Sequence, residues 1–326
     1  MIICKTPLRI SFFGGGTDLP EFFMKNGGAV LGTAIDKHIY HFVSRFPSEL
    51  FDYSIRLAYR KTECVRALDE IEHAPFRETL RHFGIERDVE IALAADLPSF
   101  SGLGSSSSFT VGLVNALSAF SGKFVPKDVL ARKAIRIERD ILHESVGWQD
   151  QIFAAYGGLN LIEFEKGGGF NVHRVVLPQE RLRELERSIM LFFTGITRRA
   201  VEVEKNKINN IARIEDNLRR MLRLVDRAHG ILTGNGPLAA FGELLHQTWL
   251  EKRQLDPAVS NPQIDDMYRR GMEAGALGGK LLGAGGGGFL AFFVPPERQE
   301  HVRAALAGHY EISFSINAAG SSIIHS

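Results

Sequence analysis

The densest chemistry lies between Asp96 and Ser108, which reads D-L-P-S-F-S-G-L-G-S-S-S-S. Gly102 and Gly104 sit there among Ser99, Ser101, Ser105, Ser106, Ser107 and Ser108, with Pro98 and Leu103 completing the turn. A turn of this composition that opens directly into a helix aims several backbone N–H groups at one point. These are the unpaired donors of a helix N-terminus, and the helix dipole adds partial positive charge to them. The natural guest is a phosphate. No G-K-[ST] follows, so backbone and hydroxyls would hold it without a Walker lysine. A serine-rich N-cap with a flexible lead-in is the plainer alternative.

Three carboxylates could serve such a site. Asp18 ends the run Gly14-Gly15-Gly16-Thr17-Asp18, where a carboxylate beside bare backbone suits sugar hydroxyls; an Asx turn or N-cap is the equal alternative. Glu138 borders the apolar stripe of a helix read over Lys127–Ser145, where a carboxylate needs a cation or metal, or an ion pair with Arg132, Arg136 or Arg139. Asp150 is flanked by Trp148, Gln149 and Gln151 and could be a general base, an orienting group or a helix cap. A second glycine cluster spans Gly278 to Gly288. Four successive glycines make a poor hairpin, and close backbone packing against a phosphate loop or substrate explains them better. Arg198 and Arg199 follow a strand end and could clamp an anion, or simply open a solvated helix.

The elements that must position these residues follow from periodicity. Ile2–Phe13, Gly27–Val43, Tyr53–Tyr59 and Asp88–Ala95 read as strands, Phe109–Phe120 as the helix after the serine turn, and Glu63–Phe83 as helices interrupted near Pro75. Lys37, His38 and His41 could face a site, but on a period-2 strand they fall by default on a solvated face. The composition changes at the charged segment Gln179–Arg187, which places a boundary between a domain of residues 1–180 and one of residues 181–326. Tyr310–Ile316 is expected to be the closing strand.

Composition narrows the class. With 326 residues, 44% hydrophobic and 24% charged, the chain is an ordinary globular one, long enough for two domains. A net charge of +1 and no long basic run argue against nucleic acid as partner. Cys4 and Cys64 are too few for a disulfide framework, and no apolar run approaches the roughly 20 residues that span a bilayer. A cytoplasmic location is expected. The assembly is open, with a homodimer as the candidate.

Three co-linear motifs, P-L-R-I-S-F-F-G-G-G-T-D at Pro7–Asp18, P-S-F-S-G-L-G-S-S-S-S at Pro98–Ser108 and K-L-L-G-A-G-G-G-G-F at Lys280–Phe289, resemble those of the GHMP kinase superfamily over nearly the whole chain. Within it, the G-G-G-T-D-L-P turn is similar to that of the heptose 7-phosphate kinases; L-fucose kinases share a related turn, and galactokinases carry a different one. The resemblance implies an α+β fold of two domains: an N-terminal mixed sheet with helices and a C-terminal antiparallel sheet with helices. It implies ATP and Mg²⁺ as cofactors. The implied activity is transfer to the anomeric hydroxyl of D-glycero-D-manno-heptose 7-phosphate, giving the 1,7-bisphosphate on the way to a GDP-activated heptose for bacterial surface polysaccharide. By the same resemblance Gly102–Ser108 cradles the ATP phosphates, Ser106 and Glu138 hold Mg²⁺, Asp150 is the base and Arg9 the cation at the reacting hydroxyl. Gly15, Gly16, Thr17, Asp18, Gly285, Gly286 and Gly287 would meet the sugar. Separately from the resemblance, Arg198, with Arg199 or Lys37, is expected to bind the 7-phosphate, because a Thr-Gly strand end followed by Arg could face the cleft. A catalytically silent sugar and nucleotide sensor on the same fold is the alternative from another class, disfavoured because Arg9, Ser106, Glu138 and Asp150 are all present.

Overall fold

The computed structural model describes residues 1–99, 101–197, 205, 206, 208 and 210–326. The chain opens with two long strands, β1 (Ile2–Phe13) and β2 (Gly28–Arg45), paired antiparallel over nearly their whole length. β2 is the spine of the first sheet. Its second half pairs with β5 (Val89–Ala95) and its first half with β6 (Leu159–Phe164), both antiparallel. β3 (Ile55–Ala58) joins β5 in parallel, β4 (Thr62–Val65) and β7 (Phe170–Arg174) flank the sheet, and β12 (Ser322–His325) closes the other edge against β1. This is a mixed sheet of eight strands among the described residues.

The helix Ser105–Phe120 lies across β1 and β2 and buries Val111, Leu113, Val114, Ala116 and Leu117. The second sheet is antiparallel, in the order β11 (Glu311–Ile312), β8 (Ile189–Phe193), β10 (Phe289–Phe293) and β9 (Gly278–Leu281). The helices Ile211–Thr233, Ala239–Arg253 and Pro262–Glu273 accompany it. One apolar cluster runs from Leu8, Ile10, Phe12 and Phe13 of β1 to Phe241, Leu244, Phe289 and Phe293 of the second layer. Phe241 meets Phe12 and Phe13 edge-on, with centroids 5.5 and 5.0 Å apart. Burying aromatic faces from both sheets in one cluster fixes the cleft between them. No described helix is long and apolar enough to cross a membrane.

Several expectations change. Glu63–Phe83 is not a helix pair: a strand and a short 3₁₀ turn precede one helix, Ala74–Phe83, with Pro75 in its first turn, where a missing N–H costs nothing. The expected closing strand reduces to Glu311–Ile312, and the chain returns to its own first strand through Ser322–His325. His38 and His41 are not on a solvated face. The helix Ser105–Phe120 packs on β2, His41 is fully enclosed beneath Phe109, and burial alone pushes it down to about 3, so it stays neutral.

Candidate active site

β1 carries Arg9 to the base of the serine turn. Its backbone N–H donates to Leu103 O at 3.0 Å, and Ser108 Oγ donates to Pro7 O at 2.7 Å, which stitches the turn to the strand. The Arg9 guanidinium reaches Asp150 with two parallel bonds, Nε to Oδ1 and Nη2 to Oδ2, both 2.7 Å, while Nη1 donates to Gly102 O at 2.7 Å. Asp150 lies in the first turn of the helix Gln149–Tyr156, and its side chain keeps 24% of its surface open to the cleft. A carboxylate held in a bidentate fork is fixed in direction yet still able to accept from a hydroxyl.

The turn itself has the geometry of an anion cradle. Gly102 and Gly104 both adopt positive φ, 80° and 77°, so the backbone curls before the helix begins at Ser105. The N-cap residue is Gly104, which has no side chain to cap the helix, so the first N–H groups are left for the cleft. Ser105, Ser106 and Ser107 line the cleft. The second glycine cluster braces the turn from behind. A Cβ on Gly102 would stand 2.6 Å from Leu282 O, one on Gly283 2.6 Å from Gly102 Cα, and Phe289 N–H donates to Ser101 O at 3.1 Å. Bare backbone is the only material that fits between them.

Glu138 does not sit in a regular helix. The helix Lys127–Arg136 loosens into a π-helical turn over Ile137–Ile141, and this re-aims the carboxylate toward the serine turn. None of Arg132, Arg136 and Arg139 pairs with it; Arg139 goes to Glu21 and to Val146 O. Glu138 Oε2 accepts from Ser107 Oγ at 2.8 Å and from Gln151 Nε2, and Oε1 has no hydrogen-bond partner among the described residues. Burial, then the charge of Glu144, raises the carboxyl to about 7. The hydroxyl in contact with Glu138 is therefore Ser107, whereas Ser106 is the exposed one at the mouth. No group of three or more His, Cys, Asp or Glu stands together among the described residues. A carboxylate with one unpartnered oxygen beside serine hydroxyls is a hard-oxygen donor set. It fits Mg²⁺, which takes one or two carboxylates and completes its shell with water and substrate phosphates.

The remaining expected residues divide. Gly15, Gly16, Asp18, Gly285 and Gly287 line the cleft with Arg9, Asp150 and the serines. Thr17 does not: it is fully buried, and its hydroxyl serves Gly14 O, Ala29 O and Ala29 N, so it shapes the turn. Gly286 is held away, its N–H on Val259 O at 2.9 Å. Ser101, Leu103 and Ser108 are buried behind the cleft wall, and Pro98 is exposed and does not line the cleft. Asp18 is 2% exposed, and its carboxylate accepts from Gly16 N and Gln149 N at 2.8 and 3.2 Å, so it holds motif one against the helix that bears Asp150. Arg198 and Arg199 lie outside the described residues.

Two lysines at the cleft escaped the sequence reading. Lys280 Nζ donates to Ser11 O and Phe12 O at 3.0 and 2.9 Å, and Lys252 Nζ to Leu281 O and Gly283 O at 2.7 and 2.5 Å. Lys252 is at the end of an ordinary helix and gave no signal. Lys280 stood inside the third motif, which singled it out without a role.

The profile of the GHMP kinases N terminal domain matches residues 64–158, and that of the GHMP kinases C terminal matches residues 228–312. Over 318 residues, covering 93% of this chain and 92% of the relative, the sequence is 30% identical to the D-glycero-alpha-D-manno-heptose 7-phosphate kinase of Campylobacter jejuni. The chain belongs to the GHMP kinases. This GHMP kinase is also 28% identical, over 92% of its length and 35% of the relative's, to the L-fucokinase/L-fucose-1-P guanylyltransferase of Bacteroides fragilis. Its fold matches a solved D-glycero-D-manno-heptose 1-phosphate kinase from Bacteroides thetaiotaomicron with a TM-score of 0.80, at 24% identity and full coverage of both chains. A putative sugar kinase from Campylobacter jejuni matches with a TM-score of 0.72 at 26% identity, over 99% of this chain and 98% of that one. As a GHMP kinase it is an ATP-dependent phosphotransferase, and its relatives make it a sugar kinase.

Proposed function

We propose that this kinase transfers the ATP γ-phosphoryl group to the anomeric hydroxyl of D-glycero-D-manno-heptose 7-phosphate, within a cytoplasmic route to a GDP-activated heptose for surface polysaccharide. The observation that carries the reading is the end-to-end match to the Campylobacter heptose 7-phosphate kinase.

In this reading the Gly102–Ser108 turn holds the ATP phosphates on backbone N–H groups, and the forked pair of Arg9 and Asp150 receives the sugar. Asp150 accepts the proton of the attacking hydroxyl or holds it in line. Arg9 fixes the direction of the Asp150 carboxylate and adds positive charge beside the transferring group. Glu138, with Ser106 and Ser107, would hold Mg²⁺, which when bound neutralises charge on the phosphates. Everything else asked of the protein is positioning. Asp18, Gly15, Gly16, Gly285 and Gly287 border the space left for the sugar. The 7-phosphate needs its own cation, and Arg198 remains the residue we assign to it; Arg198→Ala should raise KM for the phosphosugar far more than for ATP. We keep the domain boundary near residue 180, with the last strand returning to the first sheet.

A coupled ADP-release assay with Mg-ATP tests the reading against D-glycero-D-manno-heptose 7-phosphate, unphosphorylated heptose, L-fucose and D-galactose. Turnover confined to the 7-phosphate supports it. Preference for L-fucose would favour the second reading, an L-fucose 1-kinase, which the Bacteroides fragilis match supports.

A further inference from the structure

We infer that Ser11 and Gln149 form a hydroxyl-binding pair in the cleft that grips the acceptor sugar beside Asp150, and that Gly15 is glycine to leave room for it. The inference rests on the reading of this protein as a sugar kinase.

Ser11 stands two residues after Arg9 on β1, so the two side chains share a face of the strand. It lines the cleft, is 5% exposed, and its Oγ has no partner among the described residues. Gln149 precedes Asp150 and also lines the cleft; its Oε1 is enclosed and equally without a partner. The two groups face a common space. A Cβ placed on Gly15 would lie 3.7 Å from Ser11 Oγ and 3.7 Å from Gln149 Nε2.

Gly15 differs from its neighbours. Gly14 and Gly16 have φ of 84° and 98°, and a Cβ on Gly14 would stand 2.0 Å from Ala29 O, so those two are required by the backbone. Gly15 has no positive φ, and a methyl there would meet only ordinary van der Waals contacts. Neither conformation nor packing asks for glycine, although glycine carries an entropic cost on folding. Ser11 Oγ beside the space that Gly15 keeps open, and Oε1 of the Gln149 amide whose Nε2 borders that space, are buried without a partner among the described residues, an arrangement that folding alone disfavours. A ligand in that vacancy relieves it. The pair is neutral, and together hydroxyl and amide can both donate and accept, so the complementary chemistry is a sugar hydroxyl and not a phosphate.

The test compares Ser11→Ala, Gln149→Met and Gly15→Ala with the wild type in steady-state kinetics and thermal melting. Ser11→Ala and Gln149→Met should each raise KM for the sugar about tenfold, the ratio expected for one neutral hydrogen bond, and leave KM for ATP within about twofold. Gly15→Ala should raise sugar KM at least as much while melting at or above the wild-type temperature, because its methyl fits the free protein and blocks the ligand. With deoxy analogues of the sugar, the Ser11→Ala penalty should vanish on the analogue lacking the hydroxyl that Ser11 holds. Sugar KM unchanged in folded Ser11→Ala and Gln149→Met would overturn the inference and leave these atoms to ordered water. The KM shifts are read on whichever sugar the wild type phosphorylates, whereas wild-type turnover of the heptose 7-phosphate tests the substrate. The two ideas therefore fail separately.

Discussion

Arg9 and Asp150 meet through two parallel hydrogen bonds of 2.7 Å, and the third arm of the same guanidinium holds Gly102 O. One buried cation thus ties the carboxylate at the reacting end to the turn that cradles the phosphates. Gly104 lies against the junction: a Cβ there would be 3.1 Å from Arg9 Cγ and 3.3 Å from Asp150 Oδ2.

Removing either member should cripple turnover more than binding. Asp150→Asn and Arg9→Ala are each expected to lower kcat about 10²- to 10³-fold with KM for ATP near wild type. Because the pair acts as a unit, the double variant should be scarcely worse than the worse single one. Independent, multiplying losses in a kcat cycle would show that the two groups work separately.

Glu138 gives a pH signature with a definite sign. Its carboxyl is raised from an ordinary value of 4.5 to about 7, mainly by burial. Between those values the folded chain holds a proton that the unfolded chain has released. The group's contribution to stability is therefore full below about 4.5 and is lost as pH rises through about 7. In the presence of a chelator, melting temperature from pH 5 to 8 should fall for the wild type relative to Glu138→Gln, and parallel profiles would refute the burial argument. The same variant should lose roughly 10²-fold in kcat with Mg-ATP.

The packing of the second glycine cluster on the first predicts a split between strain and contact. Gly102→Ala meets both a φ of 80° and a carbonyl 2.6 Å away, whereas Gly84→Ala meets a φ of 64° and nothing within 4 Å. Gly84→Ala should cost about 1 kcal/mol, from left-handed backbone alone. Gly102→Ala should cost about 3 kcal/mol and raise KM for ATP. Urea unfolding of the two variants measures the difference.

Lys280 is 2% exposed and carries its ammonium from the second sheet to the carbonyls of Ser11 and Phe12 in the first. Lys280→Met keeps the stem and strips both carbonyls of this donor, so about 3 kcal/mol of stability should be lost. Since Ser11 lines the cleft, sugar KM should rise as well. A fully stable variant would mean that water replaces the ammonium.

Much of the site was legible because glycine and serine announce backbone geometry directly. Gly102, Gly104 and Gly283 are where the chain needs positive φ or bare backbone, and those needs write themselves into residue type. Side-chain direction was not legible. Choosing between Ser106 and Ser107 as the neighbour of Glu138 depends on where the helix starts and on the π-helical turn at Ile137–Ile141, neither of which periodicity fixes. Thr17 and Asp150 look alike as polar site candidates, yet one is consumed by the turn and the other faces the cleft. His41 was misjudged because strand alternation assumes one wet face, and the helix Ser105–Phe120 covers it. Lys280 reaches from the second sheet to β1 and Lys252 to the second glycine cluster, and contacts between segments so far apart in sequence leave no local pattern.

The most direct measurement is ³¹P NMR of the product formed from D-glycero-D-manno-heptose 7-phosphate and Mg-ATP. The expected spectrum keeps the 7-phosphate resonance and gains a second sugar phosphate coupled to the anomeric proton, in step with ADP. A new phosphate on any other carbon, or a heptose 7-phosphate left untouched while L-fucose is consumed, would contradict the proposed function.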